Sequence, residues 1–227
     1  MMILSCVIAA AVGYLMGSIN SAILTVRILK HEDVRQFGSG NAGLTNTLRC
    51  FGKLCALFTL IGDLAKGVIA VLVSQLLSGL LTGGTADLYL IGCIAGIFSI
   101  VGHVFPLYYG FKGGKGVLVG VSVFLVLDWR VFCVLIAIFA LVLALSKYVS
   151  LASIIATACA PFATFAAQYF LPDIRHQTYS LPQILLHAGM ICIMAVMIIW
   201  MHRSNIQRLR TGTERKFGEK KDKEDAS

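Results

Sequence analysis

The feature that most limits this chain is the way its apolar residues fall in long blocks. Residues 3–26, 54–80, 88–110, 148–171 and 183–202 are each apolar over about the 20 residues that a membrane-spanning helix needs. Charged residues make up only 13% of the chain, where a soluble domain carries about 25%. Blocks of this kind exclude a soluble core and predict an all-α, polytopic transmembrane helix bundle. The net charge of +8 is not a nucleic-acid signature, because the basic residues cluster beside apolar runs and in the tail. The expected partner is the lipid bilayer, with no nucleic acid. Seven cysteines are scattered without CxxC or Cys/His ligand spacing, so neither a metal site nor a disulfide framework is read. Residues 1–26 lack a basic leader and a small-residue cleavage site, and read as an uncleaved first span.

Residues 117–147 are harder to place. They are apolar apart from Asp128-Trp129-Arg130, and one span would hold two charges at mid-bilayer. Two helices, 117–127 and 131–147, put that tripeptide at the far surface, although the first would be short, roughly 17 Å against a core of about 30 Å. Charge distribution selects the hairpin. With 27–53 in the cytoplasm, seven crossings bring the glycine-lysine loop at 110–116 and the basic tail to the same side. All but Lys66, Arg130 and Arg175 of the 19 basic residues then face the cytoplasm, with the N-terminus outside and the C-terminus inside. Small residues in the first block (Gly13, Gly17, Ser18, Ser21) predict close helix contact.

This topology gathers three polar segments on one face. Gly110-Phe111-Lys112-Gly113-Gly114-Lys115-Gly116-Val117 opens an apolar run, so Gly114–Val117 is predicted at a helix N-terminus, an anion site. It is not a Walker A loop, since no Ser or Thr follows Lys115. The bland alternative is a flexible turn that anchors headgroups. Gly38-Ser39-Gly40-Asn41-Ala42-Gly43-Leu44-Thr45-Asn46 followed by Arg49 could wrap a phosphate, or could be a turn with an N-cap at Thr45 or Asn46. His202 to Glu214 is either a third contribution to the site or a helix end with snorkelling bases. Asp63 and Lys66, three apart on one face, are read as neutralising each other. His103 is open between a buried structural role, a general base and a donor to phosphate. His31, His176 and His187 have no constellation in the sequence and are left as structural. The hydrophilic tail is expected to be partly disordered after Gly212.

The stretches GSGNAGLTNTLRCFGKL, with Asp63–Lys66–Gly67 after it, GHVFPLYYGFKGGKGV and HRSNIQRLRTGTERKFG resemble, in order and spacing, the motifs of the bacterial membrane acyl-phosphate:glycerol-3-phosphate acyltransferases. The resemblance covers nearly the whole chain. Leu44, Leu118-Val119 and Asn20 depart from the residues usual in that family, at positions read as packing sites. The resemblance implies transfer of a fatty acyl group from acyl phosphate to the 1-hydroxyl of glycerol 3-phosphate, giving 1-acyl-glycerol 3-phosphate and phosphate. It implies catalytic roles for Ser39, Arg49, Lys115, His202 and Asn205. It implies substrate contacts at Gly38, Gly40, Asn41, Thr45, Asn46, Lys112, Gly113, Gly114, Gly116, Ser150, Ser153 and Arg208, with Gly113, Gly114 and Gly116 approaching the acyl phosphate. Arg208 and Glu214 are expected to hold the loops together.

No metal or cofactor is implied, because Lys and Arg can neutralise phosphate. No H-x₄-D stands in the chain, since the residues five after each His are Gln36, Tyr108, Leu181, Cys192 and Gln207. A monomer in the bacterial inner membrane is expected, with its site at the cytoplasmic face. Residues 1–212 form one membrane acyltransferase domain and 213–227 a polar cytoplasmic tail. The competing class is a small transporter for an anionic solute, which would need polar groups along a path to the far side.

Overall fold

A computed structural model of the chain describes residues 1–171 and 178–219; Pro172, Arg175 and His176 lie outside these residues. Every regular element among them is helical. They are α1 (Met2–Ser18), α2 (Ser21–Lys30), α3 (Leu44–Thr82), α4 (Leu88–Val104), α5 (Val117–Leu127), α6 (Trp129–Ser146), α7 (Val149–Phe170), α8 (Leu181–Met201) and α9 (Arg203–Arg210). Six stretches are long and apolar enough to cross a membrane: Met2–Lys30, Leu44–Thr82, Leu88–Tyr109, α6, α7 and α8. With 11 residues, α5 falls short of that length.

The first block is two helices rather than one. Asn20 breaks it by leaving the helical region and accepting from Ile23 N at 3.0 Å, which caps α2. The position read as a packing site is therefore a cap. The small residues of α1 do permit close contact, as predicted. A Cβ on Gly17 would sit 2.7 Å from Ser99 Cα, and Ser99 Oγ donates to Gly13 O at 3.2 Å. Helix α3 turns at Gly52 (φ 81), which separates a short polar first part from the long apolar one.

α5 begins inside the bundle. A Cβ on Gly116 would meet Ile100 Cγ2 at 2.8 Å, four residues before the end of α4. Four residues are about 6 Å of helix, so the loop after α4 dips below the end of that helix before α5 starts. α6 is the least buried of the long helices, with only Val131 and Leu135 buried.

At the opposite end His187, left as structural by the sequence reading, does have a constellation. Its Nε2 lies 2.9 Å from Asp87 Oδ2, its Nδ1 3.0 Å from Gln168 Oε1, and its ring stacks on Tyr89 at 4.5 Å. These residues come from three helix ends or faces remote in sequence, which is why spacing did not show them. They tie α4, α7 and α8 together.

Candidate active site

The three polar segments do meet, around one cavity of about 1170 Å³. Its polar end is formed by the starts of α3 and α5 and by α9 and the residues after it. Its other end is apolar, with Leu135, Phe139, Ala160, Ile191 and Met194 among its walls.

Two helix N-termini open into the polar end. Gly43 caps α3 and Gly116, at φ 82, caps α5, and neither helix has a side-chain cap. First-turn N–H groups without a cap, with the positive dipole end behind them, favour an anion. The expected N-cap at Thr45 or Asn46 is not what forms. Thr45 is exposed at the cavity and Asn46 is buried inside the loop. Asn46 accepts from Ser39 N at 3.0 Å and donates to Phe37 O at 2.9 Å and Val34 O at 3.2 Å. It therefore moulds the loop that carries Gly38, Ser39, Gly40 and Asn41.

Arg49 is exposed, lines the cavity, and makes no hydrogen bond or ion pair among the described residues. Lys115 donates to Asn205 Oδ1, and Asn205 Nδ2 donates to Glu214 Oε1 at 2.7 Å. Glu214 also accepts from Ser150 Oγ at 2.6 Å and Arg208 Nε at 2.7 Å. Those donors hold its carboxyl below the usual range, against the opposing effect of its burial. Burial lowers Lys115 to about 8. Ser153 Oγ is returned to its own helix, at Val149 O, 2.9 Å away.

His202 is buried, and desolvation lowers it to about 4, so the ring is neutral near pH 7. Its Nδ1 lies 2.8 Å from Ile198 O. A carbonyl only accepts, so Nδ1 carries the proton and Nε2 the lone pair.

The glycine-lysine loop is used differently from the sequence expectation. Gly113 N donates to Val104 O at 3.0 Å and Gly114 N to His103 O at 3.1 Å. These two N–H groups satisfy the end of α4 and are not free for a ligand. A Cβ on Gly114 would strike His103 Nε2 and stand 2.6 Å from Ala42 O. Both glycines are therefore needed for packing, and Gly116 is the glycine of the loop that lines the cavity. Lys112 is exposed and gives its carbonyl to Arg35 at 3.1 Å. Neither Lys112 nor Gly40 lines the cavity, whereas Gly38, Asn41, Ser150, Ser153 and Arg208 do.

Sequence reasoning left out several residues that line the cavity. Thr213, Lys216 and Phe217 belong to the stretch expected to be disordered after Gly212, yet Phe217 N donates to Lys147 O at 2.7 Å. A polar tail carries no periodic signal that would have shown this. Residues from Lys220 onward are not described. Asp63 and His103 also line the cavity. Lys66 pairs with Asp63 at 2.8 Å, as its spacing predicted.

An integral-membrane-type helical bundle in which a cavity joins a basic end, with two uncapped helix N-termini, to an apolar end defines a class: a membrane protein built to handle an anionic headgroup together with a lipid chain. Comparison with known proteins gives the family. The glycerol-3-phosphate acyltransferase family model matches residues 7–212, and the chain belongs to that family. It is 37% identical over 222 residues to the glycerol-3-phosphate acyltransferase of Clostridioides difficile (strain 630), covering 98% of this chain and all of that one. It is 39% identical to the Prochlorococcus marinus (strain MIT 9312) protein of the same name, covering 92% and 95% of the two chains. Its fold is similar to the crystal structure of PlsY, an integral membrane glycerol 3-phosphate acyltransferase, in its glycerol 3-phosphate form. The TM-score is 0.76 and the identity 33%, over 94% of this chain and 96% of that one.

Proposed function

We propose that this chain transfers a fatty acyl group from acyl phosphate to the 1-hydroxyl of glycerol 3-phosphate. The observation that carries the proposal is the cavity itself. Two uncapped helix N-termini, Lys115 and the unpaired Arg49 stand at one end, and apolar walls at the other. Two phosphorylated substrates, one with an acyl chain, need that combination. Glycerol 3-phosphate is placed at Ser39, Arg49, Ser153, His202 and Asn205, with Lys115 between the two anions. The acyl phosphate is placed against Gly116 and the start of α5.

The hydroxyl oxygen attacks the acyl carbonyl carbon, the bond from that carbon to the phosphate oxygen breaks, and phosphate leaves with the electron pair. The Nε2 lone pair of His202 accepts the hydroxyl hydrogen bond and orients the nucleophile. The hydroxyl proton passes by way of Nε2 to the departing phosphate, which leaves as a strong base and is released as hydrogen phosphate. Acyl phosphate is already activated, so positioning and charge stabilisation are sufficient.

We further place the chain in the bacterial inner membrane as a monomer, since one chain supplies the whole cavity. It crosses seven times, with α5 and α6 as the hairpin, the N-terminus outside, and the site and C-terminus at the cytoplasmic face. The membrane domain is taken as 1–212, with the start of the tail folded onto it.

Turnover by the purified protein tests the donor. Acyl phosphate with glycerol 3-phosphate is expected to give product directly, and acyl-CoA and acyl carrier protein thioesters are not. Turnover with acyl-CoA and none with acyl phosphate would overturn the reading.

A further inference from the structure

His103 lies one residue from the end of α4 and is 3% exposed. One edge of its ring is held by Lys66, whose Nζ lies 2.8 Å from His103 Nδ1, 2.8 Å from Asp63 Oδ1 and 2.9 Å from Ile19 O. The Ile19 carbonyl belongs to the break between α1 and α2, so the ammonium has two hydrogen-bond acceptors beside the Asp63 carboxylate of its ion pair. An ammonium has three donors and no acceptor. His103 Nδ1 must therefore hold the lone pair, and the ring proton sits on Nε2. Imidazolium would press an N–H against the ammonium. Asp63 Oδ1, at 3.7 Å from Nδ1, is beyond hydrogen-bond reach to relieve that.

The Nε2 edge faces the glycine-lysine loop, against Gly114 Cα, and His103 lines the cavity. Nε2 has no hydrogen-bond partner among the described residues. His202 presents the opposite tautomer, with its Nδ1–H on Ile198 O and its Nε2 accepting. The cavity thus holds one neutral imidazole that donates and one that accepts.

We infer that His103 is a further substrate-binding residue, donating Nε2–H to an anionic phosphoryl oxygen at the glycine-lysine loop, and that Lys66 and Asp63 are positioning residues that fix its tautomer. The inference rests on the reading of this cavity as an acyl phosphate site. It gives the buried ion pair a task beyond neutralisation, because the ammonium dictates which ring nitrogen is offered to the ligand.

The test uses the full chain in lipid bicelles, labelled with ¹⁵N at histidine, with His103 assigned by its loss in His103→Gln. The expected spectrum has a protonated Nε2 and a bare Nδ1, and the Nε2 signal moves on addition of inorganic phosphate or a non-hydrolysable acyl phosphonate. A bare Nε2, or an Nε2 that responds to neither probe, overturns the inference without any need for an active variant. In turnover, His103→Leu is expected to lower kcat/KM for acyl phosphate roughly 10- to 150-fold, the range for a lost hydrogen bond to a charged group, while the KM for glycerol 3-phosphate is unchanged. His103→Gln, which keeps an N–H near the Nε2 position, is expected to recover part of the loss. Folded His103→Leu with wild-type donor dependence overturns the contact. If the wild type consumes no acyl phosphate, the proposed reaction falls, while the ring-nitrogen and phosphate measurements still decide the binding role of His103.

Discussion

Arg35 Nη1 donates to the carbonyl of Tyr109 at 2.6 Å, across 74 residues of sequence. The same nitrogen reaches Lys112 O at 3.1 Å, while Nη2 and Nε hold Asp33 at 2.7 and 3.0 Å. One guanidinium thus fixes the loop before α5 through its backbone. Arg35→Ala is expected to cost about 1.5–3 kcal/mol of local stability, read as faster amide exchange over 107–112, with lower turnover. Arg35→Lys is expected to restore little, because an ammonium lacks the planar fork. Unchanged exchange would remove Arg35 from this role.

Arg49, near the start of α3, makes no ion pair among the described residues. Arg49→Ala is expected to lower kcat/KM roughly 10- to 150-fold, mainly against varied glycerol 3-phosphate. Arg130, which serves the Asp128 cap of α6, is the control. Arg130→Ala is expected to lower the Tm and leave both substrate dependences as they were.

Gly114 and Gly110 separate packing from conformation. Gly114→Ala places a methyl on His103 Nε2 and Ala42 O, and is expected to abolish donor-dependent turnover and lower the Tm. Gly110 sits at φ +67 in open space, so Gly110→Ala meets only left-handed backbone strain, about 1 kcal/mol. Equal effects from the two would contradict the packing role of Gly114.

Lys115, lowered to about 8 by burial, should set an alkaline limit. It is charged below about 8 and loses its proton above, so kcat/KM for glycerol 3-phosphate is expected to fall as pH rises through that value. Lys115→Arg, charged throughout, is expected to move that limb upward. The sign for stability is opposite. Between about 8 and the unfolded value near 10.5 the unfolded chain binds more protons, so stability rises with pH in that window and is lowest, on this account, below it. A pH-rate profile identical for wild type and Lys115→Arg would detach the limb from Lys115.

Crossing number is checked by cysteine labelling. Ser39, Gly110 and Thr211 are expected to label from one side and Thr85 from the other. Thr211 labelling with Thr85 would refute the seven-crossing arrangement.

The long apolar blocks and the three motifs were legible because composition and local spacing record them. The ion pair of Asp63 and Lys66 was legible for the same reason, lying three apart on one helix. What spacing does not record is which partner a polar group chooses. Asn46 looked like a cap and instead moulds its loop. The N–H groups of Gly113 and Gly114 looked free and instead finish α4. His187 looked isolated because Asp87 and Gln168 reach it from other helices. Phe217 looked like tail because its order comes from Lys147, not from any pattern of its own, whereas Glu214 was expected to hold the loops with Arg208 and only its partners Ser150 and Asn205 were not legible.

The Glu214 carboxylate also bears on how the protein is made. It braces Asn205, which holds Lys115, and it ties α7 to α9 through Ser150 and Arg208. Translation runs from the N-terminus, so all the apolar helices described here are synthesised before this brace exists. A chain cut before Glu214 would keep every apolar helix described here and lose the brace. The membrane bundle and the closed site thus have separate determinants, and the second depends on one acidic residue beyond the last apolar helix.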